Sequence, residues 1–153
     1  MSVENPVNTP AFSVVHAGPF STWHEHQITH PKMGPIPKQF LQEPLGTKAM
    51  ELSVNWLPPG AGMPFPHAHN LHEELYLWLE GEGEFFLDGQ IVPVKPGSVV
   101  RVATATARAW RNTGAGPAAL VCVQYPEKGH VAGTTSDGKL VDSSVAWDTA
   151  KRI

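Results

Sequence analysis

Turn signals punctuate this chain about every ten residues beyond Pro58, and no amphipathic helix can be laid between them. Pro58-Pro59-Gly60, Gly81-Glu82-Gly83, Asp88-Gly89, Lys95-Pro96-Gly97 and Gly114-Ala115-Gly116-Pro117 each favour a reversal of direction. The segments they bound are short: Ala49–Leu57, Glu74–Glu80, Glu84–Leu87, Gln90–Val94, Val99–Ala103, Ala109–Asn112 and Ala118–Tyr125. With 14 Gly and 15 Pro among 153 residues, a helical bundle is excluded. Seven short strands in one chain of domain length predict an all-β sandwich or antiparallel β-barrel.

Two of these strands say more. In Ala49–Leu57, Met50, Leu52, Val54 and Trp56 share one face and Glu51, Ser53 and Asn55 the other, the pattern of a half-buried strand. Glu74–Glu80 is apolar on both faces, with Tyr76 and Trp78 on one and Leu75, Leu77 and Leu79 on the other. Both faces must then be covered, by a second sheet or a second subunit. Residues 1–35 carry Pro6, Pro10, Pro19 and Pro31 and read as an irregular arm, with one short strand at Phe12–His16. Pro37–Leu41 reads as a further edge strand. The expected organisation is an arm with edge strands over 1–48, a barrel over 49–125, and an extension of the same domain over 126–153. In that extension Trp147–Arg152 suits a helical turn capped by Asp148.

Charge and cysteine usage narrow the function classes. Eleven basic against 14 acidic residues give a net charge of −3, which excludes a general basic field for nucleic acid or anionic lipid. Cys122, the single cysteine, rules out a disulfide framework and a thiolate cluster, and its apolar neighbours mark it as core. Met1–Pro6 has neither the basic nor the apolar region of a secretory signal, and no run reaches the roughly 18 apolar residues of a membrane span. A cytoplasmic setting is expected.

The histidines carry the chemistry. His67 and His69 stand at i and i+2, so on extended backbone both imidazoles point to one side. Glu74 follows five residues later, an odd count that strict alternation would send to the opposite face. A bulge or kink near Asn70 must restore the parity. Two imidazoles and a carboxylate form a ligand set for a divalent transition metal (iron, manganese, nickel or zinc) with positions left open. His72 and Glu73 are possible additional participants. Tyr76 and Trp78 share parity with Glu74, as Trp110 does with Arg108, so these aromatics line a pocket or fill its core. His24-Glu25-His26 lacks a carboxylate at matching distance, and His16, His30 and His130 are read as surface. Arg101 and Arg111 are read as outward charges.

The segment Gly60/Gly62, His67-x-His69, four residues, Glu74, six residues, Gly81 resembles the first motif of the cupin superfamily, offset by one residue at the leading glycine. The resemblance extends over 49–125 and implies an antiparallel jelly roll, the double-stranded β-helix, commonly dimeric. The second motif of that family, Pro-x-Gly-x-x-His-x-x-x-Asn, is altered here. Asn112 is in place, Arg108 stands where a fourth ligand, a histidine, is expected, and the Pro and Gly are missing. An arginine donates only and cannot bind a metal.

Two readings follow. In one, His67, His69 and Glu74 hold a metal, Arg108 receives a substrate anion, and Glu73 or His72 moves protons, as in a dioxygenase or a sugar isomerase/epimerase. In the other, Arg108 pairs bidentately with Glu74 or Glu73, and the barrel is a metal-free module that binds or senses a small molecule anchored by Arg108. Both expect a small-molecule ligand and a homodimer, with no nucleic-acid or membrane partner.

Overall fold

The computed structural model describes residues 3–127; Trp147–Arg152 lies outside them. Eleven strands run in chain order: β1 (Glu4–Asn8), β2 (Ser13–His16), β3 (Gln27–His30), β4 (Gly34–Phe40), β5 (Glu51–Leu57), β6 (His72–Glu80), β7 (Gly83–Leu87), β8 (Gln90–Val94), β9 (Val99–Val102), β10 (Arg108–Asn112) and β11 (Ala118–Pro126). A 3-10 helix, Phe20–Glu25, precedes β3, and a single α-helical turn, α1 (Gln42–Leu45), precedes β5. Every strand pairing is antiparallel. The strands form a six-stranded sheet (β3-β4-β5-β11-β6-β9), a three-stranded sheet (β10-β7-β8) and the β1-β2 hairpin. No helix among the described residues is long and apolar enough to cross a membrane.

The two larger sheets share one core. Tyr76, Trp78, Leu120 and Cys122 of the six-stranded sheet meet Phe85, Val94 and Trp110 of the smaller one. The fold is thus of the antiparallel all-β kind that the turn spacing predicts, in the jelly-roll form that the cupin resemblance implies. Its strongest hairpin signal forms as expected: Asp88 and Gly89 both take positive φ (46° and 86°), which a type I′ turn requires.

The segment between β5 and β6 closes the barrel. Met63 and His67 donate backbone N–H bonds to the carbonyls of Trp110 and Arg108 at 2.8 and 2.9 Å, and the Arg108 N–H returns one to His67 at 2.8 Å. Residues 61–67 therefore run along β10 and set His67 directly across from Arg108. Asn112 clamps the same corner, donating from Nδ2 to the carbonyls of Leu57 and Gly116 at 3.1 and 2.8 Å. At Gly83 there is no room for a side chain: a Cβ would lie 2.4 Å from the Trp78 ring.

The N-terminal third departs from the sequence reading. It contributes four strands, and β4 belongs to the main sheet. Gly34–Pro37 pairs with β3 and Lys38–Phe40 with β5, so Pro35 and Pro37 fall where the ladder is one-sided and a missing N–H does no harm. Strand β5, read as half-buried, is instead covered on both faces. Its apolar face packs outward, where Val54, with Leu52 and Trp56, joins Trp23 and Leu41 in a second core. Its polar residues Ser53 and Asn55 are buried on the barrel side. That second core takes in Leu79 of β6, together with Val3, Val15 and Ala17, so the chain's own arm supplies part of the cover that β6 requires.

Candidate metal centre and cavity

His67 and His69 arrive on the strand-like segment beside β10, and Glu74 on β6. Bends at Asn70 and Leu71 separate them and restore the parity that the odd spacing breaks. Asn70 does this without left-handed backbone, since Asp88 is the non-glycine residue with positive φ. One ligand atom from each of His67, His69 and Glu74 lies within 4.8 Å of the others.

Glu74 is 2% exposed and surrounded by donors. Its Oε1 accepts from Gln124 Nε2 at 2.7 Å and stands 3.1 Å from His69 Nε2, with the Cys122 thiol at 3.7 Å. Its Oε2 accepts from the Tyr76 hydroxyl at 2.6 Å. Burial pushes the carboxyl's pKa up, but hydrogen bonds from Gln124 and Tyr76 and the His69 and Arg108 charges outweigh it, so Glu74 stays below the ordinary carboxylate value. Tyr76 is correspondingly raised, by burial and by the adjacent acids, and remains a phenol that donates. His67 is lowered, chiefly by burial, which keeps its imidazole neutral at neutral pH. Its Nδ1 is buried with no hydrogen-bond partner.

Arg108 is fully buried. Its Nε lies 3.0 Å from Glu74 Oε2, a charge contact whose N–H is not aligned as a hydrogen bond. The Nη groups donate to the carbonyls of Ala103 and Thr104 at 3.1 and 3.3 Å. Two expectations are corrected. The pair with Glu74 is made through Nε alone and is not bidentate, because main-chain carbonyls take the guanidinium fork. Arg108 also does not border the cavity, so it is not placed to meet a ligand.

Glu73 is likewise corrected. It alternates to the outer face of β6, where Arg101 donates to its Oε1 and Tyr125 to its Oε2, the latter at 3.0 Å. His72 stacks edge-on to His69 at 6.1 Å but stands outside the three-ligand group. His26 donates from Nε2 to the Ala17 carbonyl at 2.8 Å, and His24 packs on Trp56, so that second His-x-His serves the arm. Carbonyl chemistry makes the ring nitrogen of His26 the donor.

A cavity of about 480 Å³ opens beside the triad. His67, His69 and Glu74 border it, with Ile36, Leu57, Met63, Phe65 and Trp110 among its apolar walls. Trp110 is therefore both core and lining. Tyr76 and Trp78 are not lining: Tyr76 serves Glu74, and Trp78 fills the core against Phe85 with its indole N–H on the Gly81 carbonyl at 2.9 Å. Sequence reasoning missed three members of the site. Gln124 and Cys122 alternate inward on β11, and Lys38 lines the cavity from β4. A glutamine on an otherwise apolar inward face was the available signal; Lys38 had none, because β4 read as an edge. Burial pushes the Lys38 ammonium below the ordinary lysine value, against the opposing pull of Cys122, Glu74 and Glu51.

A jelly roll with two histidines and a glutamate turned into its cavity defines the class, and the comparisons agree. Residues 56–124 match the cupin domain family. The structure is similar to that of a cupin protein from Bacteroides fragilis, with 31% identity, TM-score 0.64, and coverage of 67% of this chain and 87% of that one. A predicted oxalate decarboxylase from Thermotoga maritima is similar at 27% identity and TM-score 0.54, over 65% of this chain and 90% of that one. An uncharacterised protein of Methanocaldococcus jannaschii is 29% identical over 107 residues, 68% of this chain and 74% of that one. The chain belongs to the cupin superfamily.

Proposed function

We propose that this cupin binds a small organic molecule in its barrel, at a divalent transition metal held by His67, His69 and Glu74. The observation that carries the reading is the convergence of those three ligand atoms, within 4.8 Å of one another, on the wall of the cavity. The donor set fits such an ion. Ligands about 2.1 Å from a common centre can stand at most about 4.2 Å apart, so only a small inward rotation is needed. The neutral His67 ring, with a buried nitrogen that lacks a partner, and the anionic Glu74 are in the protonation states a metal requires. Iron, manganese, nickel or zinc suits two imidazoles and one carboxylate.

When bound, such an ion polarises a ligand oxygen or activates dioxygen, the chemistry of an isomerase/epimerase or a dioxygenase. The chain's own part is positioning. Gln124 and Tyr76 fix the Glu74 carboxylate from two sides, Arg108 balances its charge, and Met63, Phe65 and Trp110 exclude water from the wall. The similarity to the predicted oxalate decarboxylase from Thermotoga maritima supports a small carboxylate as the ligand class.

A metal-free binding module is the second reading, and the Arg108–Glu74 contact favours it, because the guanidinium already supplies a cation to the carboxylate. Elemental analysis of untagged protein, purified without chelator, separates the two. The metal reading expects near one equivalent, lost in His67→Ala and His69→Ala. Less than about one-tenth equivalent of iron, manganese, nickel, zinc and copper together would establish the module instead.

A further inference from the structure

The cavity holds a cation that no carboxylate among the described residues touches, although Glu74 and Glu51 act on it from beyond contact. Arg108 neutralises Glu74 from behind and is fully enclosed. Lys38 is a second cation, and it lines the cavity itself. Among the described residues no carboxylate lies within ion-pair distance of its ammonium. The Nζ sits over the Phe40 ring, 4.6 Å from its centre. The β4–β5 register fixes this placement, since Lys38 pairs with Asn55 and both line the cavity. A half-buried cation with no counter-ion in contact favours an anion in the space before it, and a cavity of about 480 Å³ offers that space.

We propose that Lys38 anchors the ligand's anionic group, and that the ligand is an organic anion with an apolar body rather than a sugar. The anionic end meets the ammonium, and the body lies against Ile36, Leu57, Phe65 and Trp110. A neutral polyol would leave both the ammonium and the apolar wall without suitable partners. Arg108, where the second cupin motif is altered, is thereby assigned to Glu74 and not to the ligand. This inference rests on the reading that the cavity takes a small molecule, and it holds with or without a metal.

The test compares two fluorescent probes of one shape, anionic 1-anilinonaphthalene-8-sulfonate and its neutral parent N-phenyl-1-naphthylamine, titrated into the full chain. In Lys38→Met the ratio of anionic to neutral affinity is expected to fall about tenfold or more, the equivalent of 1.4 kcal/mol. The neutral probe's own affinity should hold, which also shows that the variant's cavity is intact. Lys38→Arg should keep the wild-type ratio. An unchanged ratio in Lys38→Met overturns the anchor and leaves the cavity reading standing. If neither probe binds, or if Met63→Trp, which fills the cavity, leaves both affinities unchanged, the cavity reading falls and the anchor falls with it.

Discussion

Replacing Arg108 with methionine keeps most of the side-chain stem and removes the charge that faces Glu74. The three carbonyls that the Arg108 guanidinium holds do not become orphans: the Ala103 carbonyl also accepts from Thr106 N–H at 3.2 Å, the Thr104 carbonyl from His69 N–H at 3.0 Å, and the His67 carbonyl from the main-chain N–H of residue 108 at 2.8 Å. The loss therefore falls on Glu74, a carboxylate 2% exposed and left without its cation. Breaking a buried pair from one side costs about 3–5 kcal/mol. For a domain of this size that is roughly 6–20 °C in Tm, and a large part of a total stability of about 5–15 kcal/mol.

Urea unfolding of the wild type, Arg108→Met, Glu74→Gln and the double variant measures the effect and its origin. The double variant should recover about 2 kcal/mol relative to additivity, because a neutral amide needs no cation. Acid gives a second reading with a definite sign. Glu74 in the folded protein lies below the ordinary carboxylate value, so its contribution is present above that value and is lost as pH falls through the folded one. In Arg108→Met, burial is no longer opposed by the guanidinium and the carboxyl titrates higher, so protonation relieves the variant. The deficit should shrink as pH falls. A deficit under about 1 kcal/mol, or one that grows in acid, would refute the claim that the charge pair is what Arg108 supplies.

Two further outcomes follow from the same geometry. Arg108→His should lower the stability of the metal-free protein yet raise its affinity for manganese or zinc at least about tenfold by adding a fourth ligand; calorimetric titration with unchanged affinity would mean that position 108 does not face the triad. Cys122, whose thiol is pushed up to about 12 by burial first and by Glu74 next, should resist a thiol reagent at pH 8 in the folded protein and react fully in urea; ready reaction in the native state would place it in contact with solvent.

The parts of this molecule that could be read from sequence are those whose cause is local. Turn residues such as Asp88-Gly89 fix their own backbone, so the strand ladder from β5 to β11 was legible to within a residue or two. His67, His69 and Glu74 were legible because metal-ligand spacing is itself a local pattern, and even the needed kink could be inferred from parity. What could not be read was which side of a strand is the inside. The Leu52–Val54–Trp56 face of β5 is apolar because the arm covers it, while the polar Ser53–Asn55 face looks into the barrel. Alternation gives two faces and no sign; only the tertiary position of the N-terminal strands chooses between them. The same blindness hid Lys38, whose strand gains its meaning by pairing with β5. It also misdirected Arg108: residue type and motif position announced a cation at the site, but not that Glu74 and three main-chain carbonyls would absorb it. On the proposal made for Lys38, ligand selectivity rests with a residue outside the motifs, on an N-terminal strand that the family match over 56–124 does not include.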